Sequence, residues 1–531
     1  MAVPRSVRWP VLTLCAVLTA ATACTSSPKT PAQTGPQLDP RIQKIMDKPI
    51  YQHGQFGLLV VDPASGRTVS SLNPARLFVP GSTTKLFTVS TALDAFGSDH
   101  RTTTPLLTTG QVSGDTLTGA LVLVASGDLT MGGRAKTDGT VDYEPVDHTY
   151  ANAFPQLAAL TPEDPLAGVD NLARQVRQRG ITHVKGDVVV DSRLFVADPD
   201  LTTNPTPMMI NDNVVDILST PTTPGRPATL SWRPQTQGNS VAYHVMTVPK
   251  GQASAITTTP GPNGSITVTG TLAADAKPWL ATVPIADPSA FARTAVIEAM
   301  QRAGVTVDAT ATGPDPAPPA TAPTGTPLAT LVSPPFKEDA KLILKVSLNV
   351  GADLMVCRLA VAKGSRNCED GFASIKDFDS KAGVDPAQAS QADGQGGVQG
   401  DAFTPQAFIP LLRYWTTRPE AELFRESLPI LGVNGDLALY TADTPARGKV
   451  FAKTGTVAIP NSLNGAILVK GRAMAGYLDT GGGHYQVFNL VFNDTQAASA
   501  DQILAIADDI DAISALLQQD AGTASPSGSG S

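Results

Sequence analysis

Three short constellations in this chain hold side chains that can do chemistry together. The first is Ser82-Thr83-Thr84-Lys85. A serine and a lysine three residues apart on a helix share one face, so the amine can reach the hydroxyl. At the first turn of that helix the dipole favours a developing alkoxide. A lysine whose proton affinity is lowered by burial or a neighbouring cation can then serve as general base. The spacing alone is a weak signal, since it recurs at Ser26-Ser27-Pro28-Lys29, and Ser82 could equally be an ordinary helix cap. The second constellation is Lys453-Thr454-Gly455-Thr456, the one KTG in the chain, entering an apolar run. Gly455 would let a substrate approach the strand backbone closely, and Lys453 supplies positive charge. A plain strand start at the surface fits an isolated match as well. The third is Ser347-Leu348-Asn349. Ser-x-Asn also occurs at Ser71, Ser365 and Ser462, but only Ser347 and Ser365 fall between the other two constellations. Of those, Ser347 leads into the helix-like run GADLMVCRLAVA.

The elements that must hold these residues can be read around them. Phe56–Asp62 is a strand with Pro63-Ala64-Ser65-Gly66 as its turn. A helix is expected from Thr83 to Phe96, closed by Gly97. From 102 to 330 the texture changes to many short strands broken by Gly, Pro and Thr, such as Ala120–Val124, Val188–Val190 and Ser265–Val268. That stretch reads as mostly β with occasional helices, one being Ser289–Ala303. Residues 311–327 hold six prolines and form a loop or linker. Helical texture returns at Asp339–Lys345. Apolar strands follow at Ala466–Val469, Ala473–Leu478 and Val487–Phe492, with Gly481-Gly482-Gly483 as one turn, and then a helix over Ala500–Leu517 and a disordered tail.

The whole chain has 531 residues, more than one ordinary domain needs. With 42% hydrophobic and 16% charged residues it has enough apolar material for real cores, which excludes a wholly disordered protein. A net charge of −8 gives no electrostatic reason to bind nucleic acid. Six histidines and four cysteines are scattered, with no HExxH and no CxxC pair, so no metal and no cofactor are expected. His53, His100, His148, His183, His244 and His484 have no motif context and read as structural or surface residues. The N-terminus reads as an export signal: Arg5 and Arg8, then an apolar run from Trp9 to Leu18, then Ala21-Thr22-Ala23. Cys24 directly after it resembles a bacterial lipoprotein box, with Ala21 where Leu is usual. Lipid attachment at Cys24 is the expectation, and the plainer reading makes it only the first mature residue. Cys15 leaves with the signal. Cys357 and Cys368 remain, eleven apart around Gly364-Ser365, and in an oxidising compartment a local disulfide is the economical reading, with two free buried thiols as the alternative.

In the order SxxK, SxN, KTG the three constellations resemble the penicillin-recognising serine enzymes, which include D-Ala-D-Ala peptidases and β-lactamases. Roughly 265 residues separate Ser82 from Ser347, whereas most such enzymes have their second motif far sooner. That gap resembles the class C low-molecular-mass penicillin-binding proteins, the D-Ala-D-Ala carboxypeptidase/endopeptidase family with two inserted domains. Further matches are Ser126-Gly127-Asp128-Leu129-Thr130, Gly186-Asp187-Val188-Val189-Val190-Asp191, Asn211-Asp212-Asn213-Val214-Val215-Asp216, and Leu428-Pro429-Ile430 with Gly432-Val433. The resemblance covers roughly residues 50–515. Two positions depart from it. The usual Asp-Gly-Ser-Gly segment reads Asp393-Gly394-Gln395-Gly396, and the acidic position after SxN, usually Glu, is Asp353.

The resemblance implies an α/β fold: a penicillin-recognising serine transpeptidase-like domain, an antiparallel sheet with helices, interrupted by a β-rich insertion of one or two domains. The layout expected is signal peptide 1–23, tether 24–40, a first catalytic segment 41–101, insertion 102–330, a second catalytic segment 331–518 and tail 519–531. It also implies acyl transfer. Ser82 would attack the carbonyl between two D-alanines and Lys85 would accept its proton. Ser347 would relay a proton to the leaving amine, and Asn349 would orient Lys85 or the substrate amide. Lys453 and Thr454 would hold the terminal carboxylate, and the backbone N–H groups of Ser82 and Thr456 would form the oxyanion hole. The implied partners are peptidoglycan stem peptides and, as inhibitors, β-lactam antibiotics, at the outer face of the bacterial cytoplasmic membrane with a lipid anchor as the one membrane contact. Two other readings compete. A β-lactamase of class A needs a Glu with Asn four residues on, which this chain lacks. A non-catalytic wall-binding scaffold would explain Gln395 but would not require the Ser/Lys chemistry.

Overall fold

The computed structural model describes residues 38–523, apart from Ala197, Ala322 and Thr441. The expected signal peptide, the lipidation position Cys24 and all but the last residues of the tether lie outside the described residues. The folded region starts with a short helix, Pro40–Met46, whose N-cap Asp39 accepts a hydrogen bond from the Arg41 amide at 2.6 Å.

The framework of the site is an antiparallel sheet. Its strands run in the spatial order Val450–Pro460, Ile467–Gly481, His484–Asn493, Gln55–Val61 and Thr68–Leu72, with Thr495–Ala497 pairing at the far end of the second. The two strands expected at 466–469 and 473–478 are one strand, because it stays paired with its neighbour through a local irregularity at Val457/Ala458. Successive residues of Gln55–Val61 serve different cores. Leu59 and Val61 face one apolar cluster, and Leu58 and Val60 face the other, as the period-two geometry of a strand buried on both faces requires.

On one face lies the helix Lys85–Phe96. Every residue from Lys85 to Leu93 is buried, so it is the central helix of the domain rather than an amphipathic surface one. Gly97, at φ +83, ends it. Helices Phe336–Lys345 and Asn349–Ala362 pack beside it. On the opposite face the helix Ala500–Thr523 covers the sheet through Ile506, Ile510 and Ile513. That helix runs past Leu517 and takes in residues 519–523, which were expected in the tail. Its last turns are tied down by Gln518 Nε2 to the Asp479 carbonyl at 2.8 Å and by the Asp520–Arg41 ion pair at 2.6 Å.

The chain leaves this domain near His100 and returns at Phe336, whose amide bonds the His100 carbonyl at 2.7 Å. Exit and entry are neighbours, so the insertion closes on itself without opening the domain that hosts it. It contains two nested units. The outer one has two four-stranded sheets and the helices Ala167–Gln178 and Pro288–Arg302 around a core that includes Leu106, Leu123, Val176 and Ile297. Its strand Ala329–Val332 pairs with Thr103–Thr108, so the unit extends two residues beyond the expected boundary. The inner unit, residues 214–284, is two three-stranded sheets around Ile217, Val245 and Val268. It is entered through Asn211, Asp212 and Asn213, all three at φ between 52 and 56. Asn and Asp are the non-glycine residues that best tolerate that left-handed region, which accounts for the Asn-Asp-Asn run. Cys357 and Cys368 are joined in a disulfide beside this insertion.

Candidate active site

The Ser82 hydroxyl sits in a 3-10 turn, Gly81–Thr84, that leads into the central helix. No cap bond from Ser82 accompanies the start of that helix. Its oxygen instead accepts a hydrogen bond from Lys85 Nζ at 2.8 Å. The same ammonium reaches Asn349 Oδ1 at 2.7 Å and the Gln395 carbonyl at 3.2 Å. Lys85 is wholly buried, and its three contacts are neutral oxygens. Burial, reinforced by the nearby charge of Lys453, holds its proton affinity well below the ordinary lysine value, while Asp353, Asp393 and Asp436 pull weakly the other way.

Ser347 and Asn349 stand at the entry to the helix Asn349–Ala362, where Asn349 meets Lys85. Ser347 is held at φ +61, a conformation that costs a non-glycine residue energy and needs outside support. The edge strand Val450–Pro460 brings Lys453, Thr454, Gly455 and Thr456 alongside the Ser82 turn. Lys453 is buried and lies 3.4 Å from Asp436 Oδ2, to which Thr454 Oγ1 also donates, at 2.5 Å. Burial lowers the proton affinity of Lys453, and Asp436 partly restores it. Arg472, on the neighbouring strand, donates to Thr456 Oγ1 at 2.9 Å and lies 3.3 Å from Asp511, a carboxyl that burial pushes up to about 7.

Gly455 has a steric role within the protein that the sequence did not suggest. A Cβ there would lie 2.4 Å from the Pro80 carbonyl oxygen and 2.8 Å from the Ser82 amide nitrogen. The missing side chain therefore admits the Ser82 turn of the protein itself. Gly81, at φ +54, meets it from the other side, where a Cβ would come within 2.8 Å of the Thr456 nitrogen. The two glycines bring the Ser82 and Thr456 amides together.

Gln395 also has a structural use. Its backbone carbonyl faces Lys85, while its side-chain amide donates to Thr202 Oγ1 at 2.8 Å and Asp353 Oδ2 at 3.2 Å. Asp353, pushed up to about 6 by burial and then by Asp393, accepts from Thr203 and from the Gly394 amide as well. The segment that departs from the usual Asp-Gly-Ser-Gly is thus a floor beneath Lys85, and its variant side chain points to the insertion.

Sequence reasoning missed Asp436, Arg472 and Tyr150. Tyr150 belongs to the insertion, and its hydroxyl lies 2.6 Å from the Ser347 carbonyl and 3.2 Å from Asn349 Oδ1. His148, read as a structural or surface residue, lies two positions before it and is structural, part of a buried ion network. Ser82, Ser347, Thr454 and Thr456 line one cleft of about 620 Å³. Its walls are apolar: Phe154 and Leu157 from the insertion, Ile459 from the KTG strand, and Ile503 and Leu504 from the C-terminal helix.

A buried Ser-x-x-Lys helix facing a Ser-x-Asn turn and a KTG edge strand defines a protein of the penicillin-recognising class. The fold is similar to that of penicillin binding protein 4 from Haemophilus influenzae, with a TM-score of 0.66 at 19% identity over 91% of this chain and 99% of that one. The sequence model of the D-Ala-D-Ala carboxypeptidase 3 (S13) family matches residues 38–515, and the chain belongs to that family. Among its relatives are a D-alanyl-D-alanine carboxypeptidase of Actinomadura, 26% identical over 80% of this chain and 77% of that one, and penicillin-sensitive carboxypeptidase A of Dictyostelium discoideum, 24% identical over 87% of each. Membership gives the enzyme class, D-Ala-D-Ala carboxypeptidase.

Proposed function

We propose that this enzyme removes the terminal D-alanine of peptidoglycan stem peptides through an acyl-enzyme on Ser82, and that β-lactams acylate the same oxygen. The observation that carries this reading is the position of Lys85 Nζ, buried between Ser82 Oγ at 2.8 Å and Asn349 Oδ1 at 2.7 Å. A lysine without a carboxylate in contact, held there by neutral acceptors, has the lowered proton affinity that a general base needs near neutral pH.

In the neutral amine form Lys85 takes the Ser82 proton as the oxygen attacks the D-Ala-D-Ala carbonyl. The negative charge that develops falls to the Ser82 and Thr456 backbone amides. Ser347 relays the proton taken up by Lys85 to the departing amine of the terminal D-alanine, which returns Lys85 to its neutral form. Lys453 and Thr454 hold the carboxylate of that residue, and Asn349 keeps Lys85 aligned. Water then releases the acyl group. This chemistry belongs outside the cytoplasm, which fits the export signal read at the N-terminus and lipid attachment at Cys24.

The test is labelling of the purified protein with a fluorescent penicillin, beside Ser82→Ala, together with D-alanine release from a peptide ending in D-Ala-D-Ala. The reading predicts a slowly lost label and D-alanine release, both absent in the variant. A label that persists in Ser82→Ala would overturn it. Cleavage of a cross-linked dimer in the same assay measures endopeptidase action separately.

A further inference from the structure

We infer that Tyr150, supplied by the insertion, is a positioning residue for acyl transfer at Ser82: its phenol fixes the Ser347 carbonyl and packs against the Asn349 amide oxygen that receives Lys85. The inference rests on the Ser82 reading above and adds a group from outside the three motifs.

The phenol has one proton and two oxygens within reach, the Ser347 carbonyl at 2.6 Å and Asn349 Oδ1 at 3.2 Å. The shorter contact takes the proton. It anchors the carbonyl of a residue held at φ +61, a backbone that would relax toward commoner conformations if that carbonyl were free to turn. Rotation of that peptide would displace Ser347 within the cleft it lines with Ser82. The second oxygen is the one that receives Lys85 Nζ at 2.7 Å, so one phenol is in contact with both Ser347 and the amide that holds the base. Burial raises the proton affinity of the phenolate, which keeps the group a donor throughout the working range.

The anchor is itself fixed. Tyr150 ends a short turn, His148–Tyr150, whose preceding Asp147 accepts from the Thr149 amide at 3.0 Å and the Thr149 hydroxyl at 2.7 Å. Arg134 grips Asp147 at 2.5 and 3.0 Å and Asp212 at 2.6 and 3.0 Å. His148 bridges Asp216 at 2.6 Å and Asp212 at 2.9 Å, and Arg233 reaches Asp216 at 3.1 Å. With His148 protonated, three cations balance three carboxylates. Such a network tolerates few alternative arrangements, so the turn presents the phenol in one place. One turn further along the helix Asn349–Ala362, Thr203 of the insertion donates to Asp353, and Thr202 accepts from the neighbouring Gln395. The insertion therefore holds the Ser-x-Asn helix at two points, and Tyr150 is the one beside the amide that contacts Lys85.

The test measures, on the full chain, the acylation rate at saturating fluorescent penicillin and the concentration giving half that rate. Tyr150→Phe keeps the ring and removes the donor. The expected result is a roughly tenfold slower saturating rate, about the value of one hydrogen bond, with the half-saturating concentration within about twofold of the parent. Thr149→Val loosens the turn without touching the phenol and is expected to slow the same rate roughly two- to threefold, again without a change in half-saturation. A parent-like rate in Tyr150→Phe, or a change confined to half-saturation, would make Tyr150 only a wall of the cleft and overturn the inference. If Tyr150→Phe does not fold, Thr149→Val decides by the same criteria. Absence of Ser82-dependent label in the parent overturns the underlying reading as well, which separates the two failures.

Discussion

Lys85 and His148 are both buried basic side chains, 0% and 4% exposed, in two regions of one molecule. Burial alone drives each toward its neutral form. In the insertion that tendency is reversed. His148 touches Asp212 and Asp216, and its proton affinity is raised to about 10 even though burial is the largest single influence on it. In the catalytic domain nothing reverses it. Lys85 touches a hydroxyl, an amide oxygen and a carbonyl, its carboxylates stand off, and Lys453 adds repulsion. The difference between an architectural cation and a candidate base is thus the charge of the contacting oxygens. The insertion uses its charged cluster to hold a turn, whereas around Lys85 the absence of contacting carboxylates leaves its proton affinity lowered.

The largest disturbance should come from breaking the charged cluster. Arg134→Met leaves Asp147 and Asp212 with His148 as their remaining cation, and we expect a loss of about 3–5 kcal/mol in denaturant unfolding. Asn349→Asp makes the catalytic region resemble the insertion by putting a carboxylate on Lys85. Acylation at neutral pH should fall roughly 100-fold, and the acid limb of the pH–rate profile should move to higher pH. An unchanged profile would mean that Lys85 is not the base. Lys453→Gln removes the cation that helps keep Lys85 neutral. The acid limb should again move up, with roughly tenfold slower acylation at neutral pH. The smallest effect concerns pH and stability. A raised histidine stabilises the fold fully below its ordinary value of 6.5 and loses that contribution as pH rises through about 10. Calorimetry should find the melting temperature declining by a few degrees across that window, and His148→Gln should remove that share of the decline.

The three candidate motifs could be picked out of the sequence because their logic is local. A serine and a lysine three apart need one helical turn, and KTG needs one strand. The helix Ala167–Gln178 also has a local signal, Val169, Leu172, Ala173 and Val176 on one face, which the surrounding β texture masked. Asp436, Arg472 and Tyr150 have no such signal. Tyr150 meets Ser347 only because the insertion closes on itself between His100 and Phe336 and carries the phenol back to its host. The nesting of residues 214–284 within the insertion depends likewise on pairings such as Ala329–Val332 with Thr103–Thr108, which no local pattern encodes. Gly455 teaches a subtler lesson. The requirement for glycine was readable, but the group that fills the space is the Ser82 turn, a contact between segments more than three hundred residues apart.

The central claim is that Lys85 works as a neutral amine because burial is not offset by a contacting carboxylate. The most direct measurement is the rate of Ser82 acylation at saturating penicillin, followed from about pH 5 to pH 11. The account predicts an acid limb whose midpoint lies well below the ordinary lysine value of 10.5 and which moves to higher pH in Asn349→Asp. A midpoint at or above 10.5, as an ion-paired lysine would give, would contradict it.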